Sequence, residues 1–535
     1  MTERHTGPRR GRLSISLLAG VVGLLGVLPA LAAGAPSLGA LSTSAVASPV
    51  TQHRAAPLAG VSARSAGAGA PRAVCGTAQL DGPASKPAGA RKVSTSQSLQ
   101  RLTARAPAGT TFWLEPGRHI IPGGAFDQVQ PKNGNVYIGA PGAVLDGRRV
   151  NRYAFSSSAH DVRISHLTIE NFGQSVQDNP GETVVNSGSG NDWVVDHSTI
   201  QQNAGAGVFL ADGSRVVKNC LRDNGEYGFA AHESNGPAHD VVLRGNEIVG
   251  NNTADWENLQ PGCGCAGGGK FWDTRGARVV DNYVHDNHGP GLWADTDNVG
   301  FLFEGNYIAN NDDVGLFYEI SYNALIRRNT FVRNGWKIGL ESLDGTPAIY
   351  ISESGSDQRA GSLYGRHLRI SGNLFVDNWS GIMAWEHPGR FAGSPYNVSA
   401  DYSTLVNPGV ATVARCGDPD LIGTAPYIDD CRWKTQHLRV VRNTFEFDPT
   451  KIPGCTVEHG CGFMSLVSTY GTVPEWAPYL KYVVPDAISL AQDNVWRANA
   501  YHGPWRFMIR LLGPQVSWST WRSAPYHQDA GSTRS

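Results

Sequence analysis

A chain of 535 residues, 41% of them hydrophobic, exceeds the roughly 250–300 residues that one compact core serves, so it is either two domains or a solenoid. Lys plus Arg number 45 against 46 for Asp plus Glu, and so even a balance gives no strong field to draw in nucleic acid or an anionic membrane. The 64 glycines, without a collagen period, favour an all-β chain with many tight turns over a helical one.

Residues 1–32 read as an export signal. Arg9, Arg10 and Arg12 precede an apolar run from Leu13 to Leu31, and Ala30-Leu31-Ala32 offers small residues for cleavage. An uncleaved membrane anchor is the alternative, because an apolar run of about 20 residues also spans a bilayer. Residues 33–72 are Ala, Ser, Gly and Pro with almost no large apolar side chains, which predicts a disordered linker.

From there to Phe447 a short phrase recurs, in which an Asn is followed five positions on by a second polar residue across an apolar-centred stretch. Copies begin at Asn219 (NCLRDN), Asn246 (NEIVGN), Asn282 (NYVHDN), Asn306 (NYIANN), Asn329 (NTFVRN) and Asn373 (NLFVDN), with weaker ones at His166, His197 and Asn443. The steps from 197 to 219, 282 to 306 and 306 to 329 are 22, 24 and 23 residues. No single turn of that length buries its own apolar face, so successive turns stack and share one core. The fold expected over 73–447 is a single-stranded right-handed parallel β-helix, in which the Asn residues occupy corners, tolerate left-handed backbone and hydrogen-bond along the stack. A leucine-rich solenoid is excluded, since the LxxLxL phrase is absent and the strands are rich in Val, Ile and Phe.

Long steps mark insertions: DWENLQPGCGCAGGG between 246 and 282, LDGTPAIYISESGSDQ between 329 and 373, and a Pro- and Cys-rich excursion between 373 and 443. Of the eight cysteines, Cys416 with Cys431 and Cys455 with Cys461 are expected to form local disulfides. Cys263 and Cys265 fit a disulfide or free thiols better than half a metal site, because no second Cys or His pair stands at ligand spacing. The Trp- and Tyr-rich residues 448–535 read as a C-terminal cap and tail.

Aligning FWDT, WADT and FYEI places Asp273, Asp295 and Glu319 in one column. Alternation then turns Leu292, Ala294, Leu316 and Tyr318 to the core and Trp293, Asp295, Asp297, Phe317 and Glu319 outward; His232, Met383 and Trp385 extend the column, and Trp272 adjoins it. Carboxylates beside aromatic rings suit a sugar-binding groove. The expected catalytic residues of a glycoside hydrolase are Asp295, Glu319 and Asp273, with Trp293, Phe317, Trp272 and Trp385 as sugar platforms and His288, Lys270 and Asp297 as accessories. Neighbouring turns about 4.8 Å apart suit a retaining pair and two turns an inverting one, and crowded like charges raise the pKa of one acid. Such a hydrolase requires no cofactor. Two readings stay open beside it: a calcium-dependent polysaccharide lyase, with Asp273, Asp295 and Glu319 as calcium ligands and Lys270 as base, and a non-catalytic glycan-binding or surface protein. Asp312 and Asp313 are expected to be turn formers. The partner expected is an extracellular or cell-wall polysaccharide, bound by a monomer.

From about Cys75 to Thr533 the chain resembles the actinobacterial secreted proteins that carry the right-handed β-helix domain, within the pectin-lyase-like superfamily. The stretches carrying the resemblance include GAPGAVLDG, GCGCAGGGKFWDT, VHDNHGPGLWADTDN, FYEISYNALIRRNTF, AIYISESGSD and DDCRWKTQ. It implies the pectin-lyase-like coil and leaves the activity open among lyases, hydrolases, epimerases and adhesins. The polygalacturonase pattern of that superfamily is not met: Asp295-Thr296-Asp297, Asp312-Asp313 and His288-Gly289 are present, but His288 precedes the acids and no Arg-Ile-Lys follows.

Overall fold

The computed structural model describes residues 69–174, 182–231, 236–342, 345–361, 367–395, 409–465, 474–479, 483–509 and 514–535. The expected signal, nearly all of the linker, and His232 lie outside them. Short strands of alternating apolar residues build three sheets of 13, 13 and 11 strands that run the length of the coil. All pairs are parallel except the last of the third sheet, where Gln515–Val516 runs against Arg506–Met508. One turn illustrates the plan: Arg278–Val280 lies in the first sheet, Tyr283–His285 in the second, Leu292–Asp295 in the third, and Leu302–Glu304 returns to the first beside Arg278–Val280. The chain is a parallel β-helix, as the repeat predicts.

The Asn phrase marks two ladders, one at each end of the second sheet's strands. Asn219, Asn246, Asn282, Asn306, Asn329, Asn373, Asn443 and Asn499 form the first, each Nδ2 donating to the next Oδ1 at 2.9–3.2 Å. Asn203, Asn224, Asn251, Asn287, Asn311, Asn334 and Asn378 form the second, at 2.8–3.0 Å. One detail differs from expectation. The left-handed residue is the one before the ladder Asn: Lys218, Asp223, Asp281, Asp286, Asn310, Arg328 and Arg333 take positive φ, and the Asn side chain then turns inward, where it is buried. There its second Nδ2 hydrogen satisfies a strand carbonyl, as Asn282 does for Leu243 at 2.9 Å.

Between the ladders the core is stacked side chain on side chain. Phe331, Phe375, Phe445 and Tyr501 form one column with ring centroids 5.0, 4.5 and 5.0 Å apart and nearly parallel planes. The coil runs past Phe447, since Val495–Arg497 joins the first sheet, Ala500–His502 the second and Arg506–Met508 the third before Trp518–Arg522 closes that end. At the other end the helix Leu99–Arg105, capped by Ser98, lays Leu99 and Thr103 on the first turns. An N-terminal strap crosses the turns outside the sheets, tied by the Cys75–Cys220 disulfide and by Glu247 accepting the backbone N–H of Cys75 at 2.8 Å. Cys416–Cys431 and Cys455–Cys461 pair as expected, and Cys263 bonds Cys265. No helix among the described residues is long and apolar enough to cross a membrane.

Candidate active site

The outer face of the third sheet carries Asp295 and Glu319 in the expected register, and only the turn of Asp273 is displaced, by one residue. Trp272 lies opposite Asp295, Asp295 opposite Glu319, Glu319 opposite Ser352, and Ser352 opposite Trp385. Asp273 falls out of this column and sits beside Thr296, whose carbonyl accepts its backbone N–H at 3.0 Å. Burial decides the register. Phe271 is fully buried opposite Ala294, and matching acid to acid would have turned that ring outward. Asp273 takes φ +38° at the strand end and points toward Arg275 instead. AIYISES is not an insertion: Pro347–Ser352 is a strand of the same sheet, and puts Tyr350 and Ser352 between the turns of Glu319 and Trp385.

Two residues toward the strand starts runs a parallel column, Lys270, Trp293, Phe317, Tyr350 and Met383. The two columns meet in one charge network. Lys270 Nζ lies 2.8 Å from Asp295 Oδ2, donates to the Gly264 carbonyl at 3.1 Å, and stands 4.0 Å from the Trp293 ring centroid. The Trp293 indole N–H donates to Glu319 Oε2 at 3.1 Å. Arg390, from the loop after the strand Ser380–Trp385, bridges Glu319 Oε1 at 2.9 Å and Glu353 Oε2 at 3.0 Å. Three carboxyl groups thus share two cations. With all three ionised the cluster carries an unbalanced buried negative charge, so a resident proton is favoured. Glu319 is its place: burial first, and then the Asp295 charge, push that carboxyl up to about 7, against the pull of Arg390.

The aromatic side chains leave the sheet outward, as predicted, yet they are not an open platform. Trp293 is 4%, Phe317 5% and Trp385 5% exposed. Their rings join Tyr350 in a packed stripe, with centroids 5.0 Å apart for Trp293–Phe317, 4.8 Å for Phe317–Tyr350 and 5.4 Å for Tyr350–Trp385. The Cys263–Cys265 loop meets this stripe at Trp293. A Cβ on Gly264 would stand 2.9 Å from the Trp293 ring and 3.2 Å from Lys270 Nζ, and Glu257 holds the loop by accepting the N–H groups of Gly262 and Gly264 at 2.6 and 3.2 Å. What remains partly open is the side of the network at Trp272, Asp273, Arg275 and Asp295.

The accessory candidates separate. Lys270 is in the network. Asp297 is buried at a left-handed corner, where burial raises its carboxyl well above the usual range, with Arg275 lowering and Asp273 raising it. His288 pairs with Asp312 at 3.2 Å, at a turn where Asp312 also holds Lys337 at 2.8 Å. That contact with Asp312 raises the imidazole pKa, and it belongs to the corner rather than to the acids of the column. Arg390 and Glu353 were not foreseen. Glu353 follows the column residue Ser352 directly and was hidden by the misread strand; Arg390 comes from a loop five residues beyond Trp385, where no periodicity reaches.

Comparison with known proteins matches residues 182–358 to the family model described as right handed beta helix region, the stretch that holds the network apart from Arg390. A search of the curated proteins finds no match. Among solved structures, the chain is similar to the catalytic unit of a GH87 alpha-1,3-glucanase from Streptomyces thermodiastaticus, at 14% identity over 84% of this chain and 70% of that one, with a TM-score of 0.47. It is also similar to the A-module of the Azotobacter vinelandii mannuronan C-5 epimerase AlgE6, at 14% identity over 65% of this chain and 88% of that one, with a TM-score of 0.39.

Proposed function

We propose that this β-helix protein is a secreted glycoside hydrolase acting on an extracellular or cell-wall polysaccharide, with Glu319 as general acid and Asp295 as its ionised partner. The observation that carries the reading is the pairing itself: two carboxyl groups in register on adjacent turns, one in an ion pair with Lys270 and the other buried with its pKa raised to about 7. A protonated acid near neutrality delivers a proton to the leaving glycosidic oxygen, while the ionised neighbour attacks or stabilises the oxocarbenium centre. Adjacent turns are about 4.8 Å apart, near the roughly 5–5.5 Å of retaining enzymes. Asp273, displaced from the column, is left a substrate-binding part at the open side, with Trp272 the ring best placed to meet a sugar. Four disulfides agree with an oxidising, extracellular setting.

The reading needs no metal, since the Lys270 ammonium and the Arg390 guanidinium already hold the positions beside Asp295 and Glu319 that a calcium ion of a lyase would take. The burial of Trp293 and Phe317 withholds those rings from a sugar and favours, as the second reading, a cell-surface structural protein that does no chemistry. Release of reducing ends from a panel of α- and β-glucans, xylans and uronate polymers separates them. Hydrolysis by the wild-type chain, lost in both Asp295→Asn and Glu319→Gln, is the expected result. Retention on an insoluble glycan with no product, or cleavage undiminished in both variants, contradicts the assignment, and ultraviolet absorbance from an unsaturated sugar would mark a lyase.

A further inference from the structure

Away from the acids, the corner between the first and second sheets carries two histidines on successive turns. His166 and His197 follow Ser165 and Asp196, which lie opposite one another in the first sheet, and both take left-handed backbone, φ +58° and +46°. Their rings stack with centroids 5.2 Å apart and planes 21° from parallel. Asp196 stands beside them, its Oδ1 3.1 Å from His197 Nδ1. One ligand atom from each of His166, Asp196 and His197 lies within 4.8 Å of the other two.

We propose that these three residues bind one divalent transition-metal ion, Zn²⁺ being the cation best matched to two imidazoles and a carboxylate. Three features carry it. The Nδ1–H of His166 donates to the Leu80 carbonyl at 3.2 Å, which fixes the tautomer and leaves Nε2 with its lone pair free, the arrangement by which a carbonyl commonly orients a metal-bound imidazole. The 3.1 Å between Asp196 Oδ1 and His197 Nδ1 is close to the about 3.3 Å edge of a tetrahedron with ligands about 2.0 Å from its centre. Asp196 Oδ2 is held by Arg163 at 2.7 Å, which orients the carboxylate while leaving Oδ1 for the ion. A metal here replaces the proton between His197 and Asp196 and draws in the His166 ring by a small rotation, with water completing the shell. Because His166 is tied to Leu80, the ion would fasten the N-terminal strap to the coil, as Cys75–Cys220 fastens it further along.

The test is titration of the full, chelator-stripped chain with Co²⁺, followed by its visible ligand-field absorption, and then with Zn²⁺ in competition. The expected result is one Co²⁺ per chain, displaced by Zn²⁺, with affinity reduced at least about 100-fold in His166→Gln, His197→Gln and Asp196→Asn. Melting of each stripped variant at the wild-type temperature certifies the fold, and Zn²⁺ raises the melting temperature of the wild type alone. A second group, His367, His437 and Asp493, also brings ligand atoms together. Binding that persists in the His166 and His197 variants and vanishes in His367→Gln overturns the proposal, as does a wild type that binds neither ion at about 100 μM.

Discussion

The indole N–H of Trp293 donates to Glu319 Oε2 at 3.1 Å from the neighbouring turn of the coil, two residues back along the strand. The same ring carries the Lys270 ammonium on its face, so one side chain joins the pair Lys270–Asp295 to the pair Glu319–Arg390. A donor to a carboxylate favours its ionised form. Trp293→Phe keeps an aromatic ring and removes the donor, so the Glu319 pKa rises further. The alkaline limb of the rate profile on a cleaved glycan then moves to higher pH; a limb that stays in place, or moves down, excludes the contact from the mechanism.

Glu319 also predicts how stability depends on pH. Its folded-state pKa of about 7 stands above the ordinary 4.5, so between those values the folded chain holds a proton that the unfolded chain has lost. The stabilisation is fully present below about pH 4.5 and is lost as pH rises through about 7, a difference of at most about 3 kcal/mol. Glu319→Gln removes this dependence. Denaturation midpoints across pH 4.5–8 therefore show the variant gaining on the wild type as pH rises, and parallel curves would contradict the shift.

Gly264 stands at φ +60° with Trp293 and Lys270 against the place of its Cβ. In Gly264→Ala the left-handed backbone costs about 1 kcal/mol, and the added carbon pushes the ammonium away from Asp295. Activity falls by about tenfold or more while circular dichroism and the melting temperature change little. Full activity in this variant would mean that the loop only covers the site.

The Asn ladders should be the costliest polar contacts to break. Asn306 is buried, donates to Asn329 and to the Val279 carbonyl at 2.9 and 2.8 Å, and accepts from Asn282. Asn306→Ala leaves these partners unpaired, at about 1–3 kcal/mol for each buried group so left. The expected outcome is a lowered denaturant midpoint, by more than for Trp272→Ala on the half-buried outer face.

Chelation gives a further check on the charge network. With Lys270 and Arg390 as its cations, glycan release proceeds undiminished in excess EDTA, and restoration by added Ca²⁺ alone would shift the account to the lyase reading.

The coil was legible in the sequence because stacking imposes a periodic demand: an Asn at a corner must meet another Asn one turn on. Asp295 and Glu319 were legible for the same reason, lying in strands whose core residues Ala294 and Tyr318 repeat in step. Asp273 was misplaced because the acid was matched and the ring was not; the burial of Phe271 outweighs any likeness of surface residues. Arg390, Gly264 and the strap beginning near Cys75 were beyond the pattern, since loops that return over a face obey no turn-to-turn spacing. Gly264 packs on Trp293, and Val314 clusters with Trp293 and Phe317, rings that alternation alone could only place outside the sheet.

In the proposed hydrolase a protonated Glu319 beside an ionised Asp295 cuts the glycosidic bond, and the pH–rate profile of wild type and Glu319→Gln on a glycan that the wild type cleaves reads that step itself. The wild-type rate is expected to fall on an alkaline limb near pH 7, and the variant to be slower by about 10²–10⁴-fold and to lack that limb. A variant as fast as the wild type, or a wild-type rate still rising above pH 8, would contradict it.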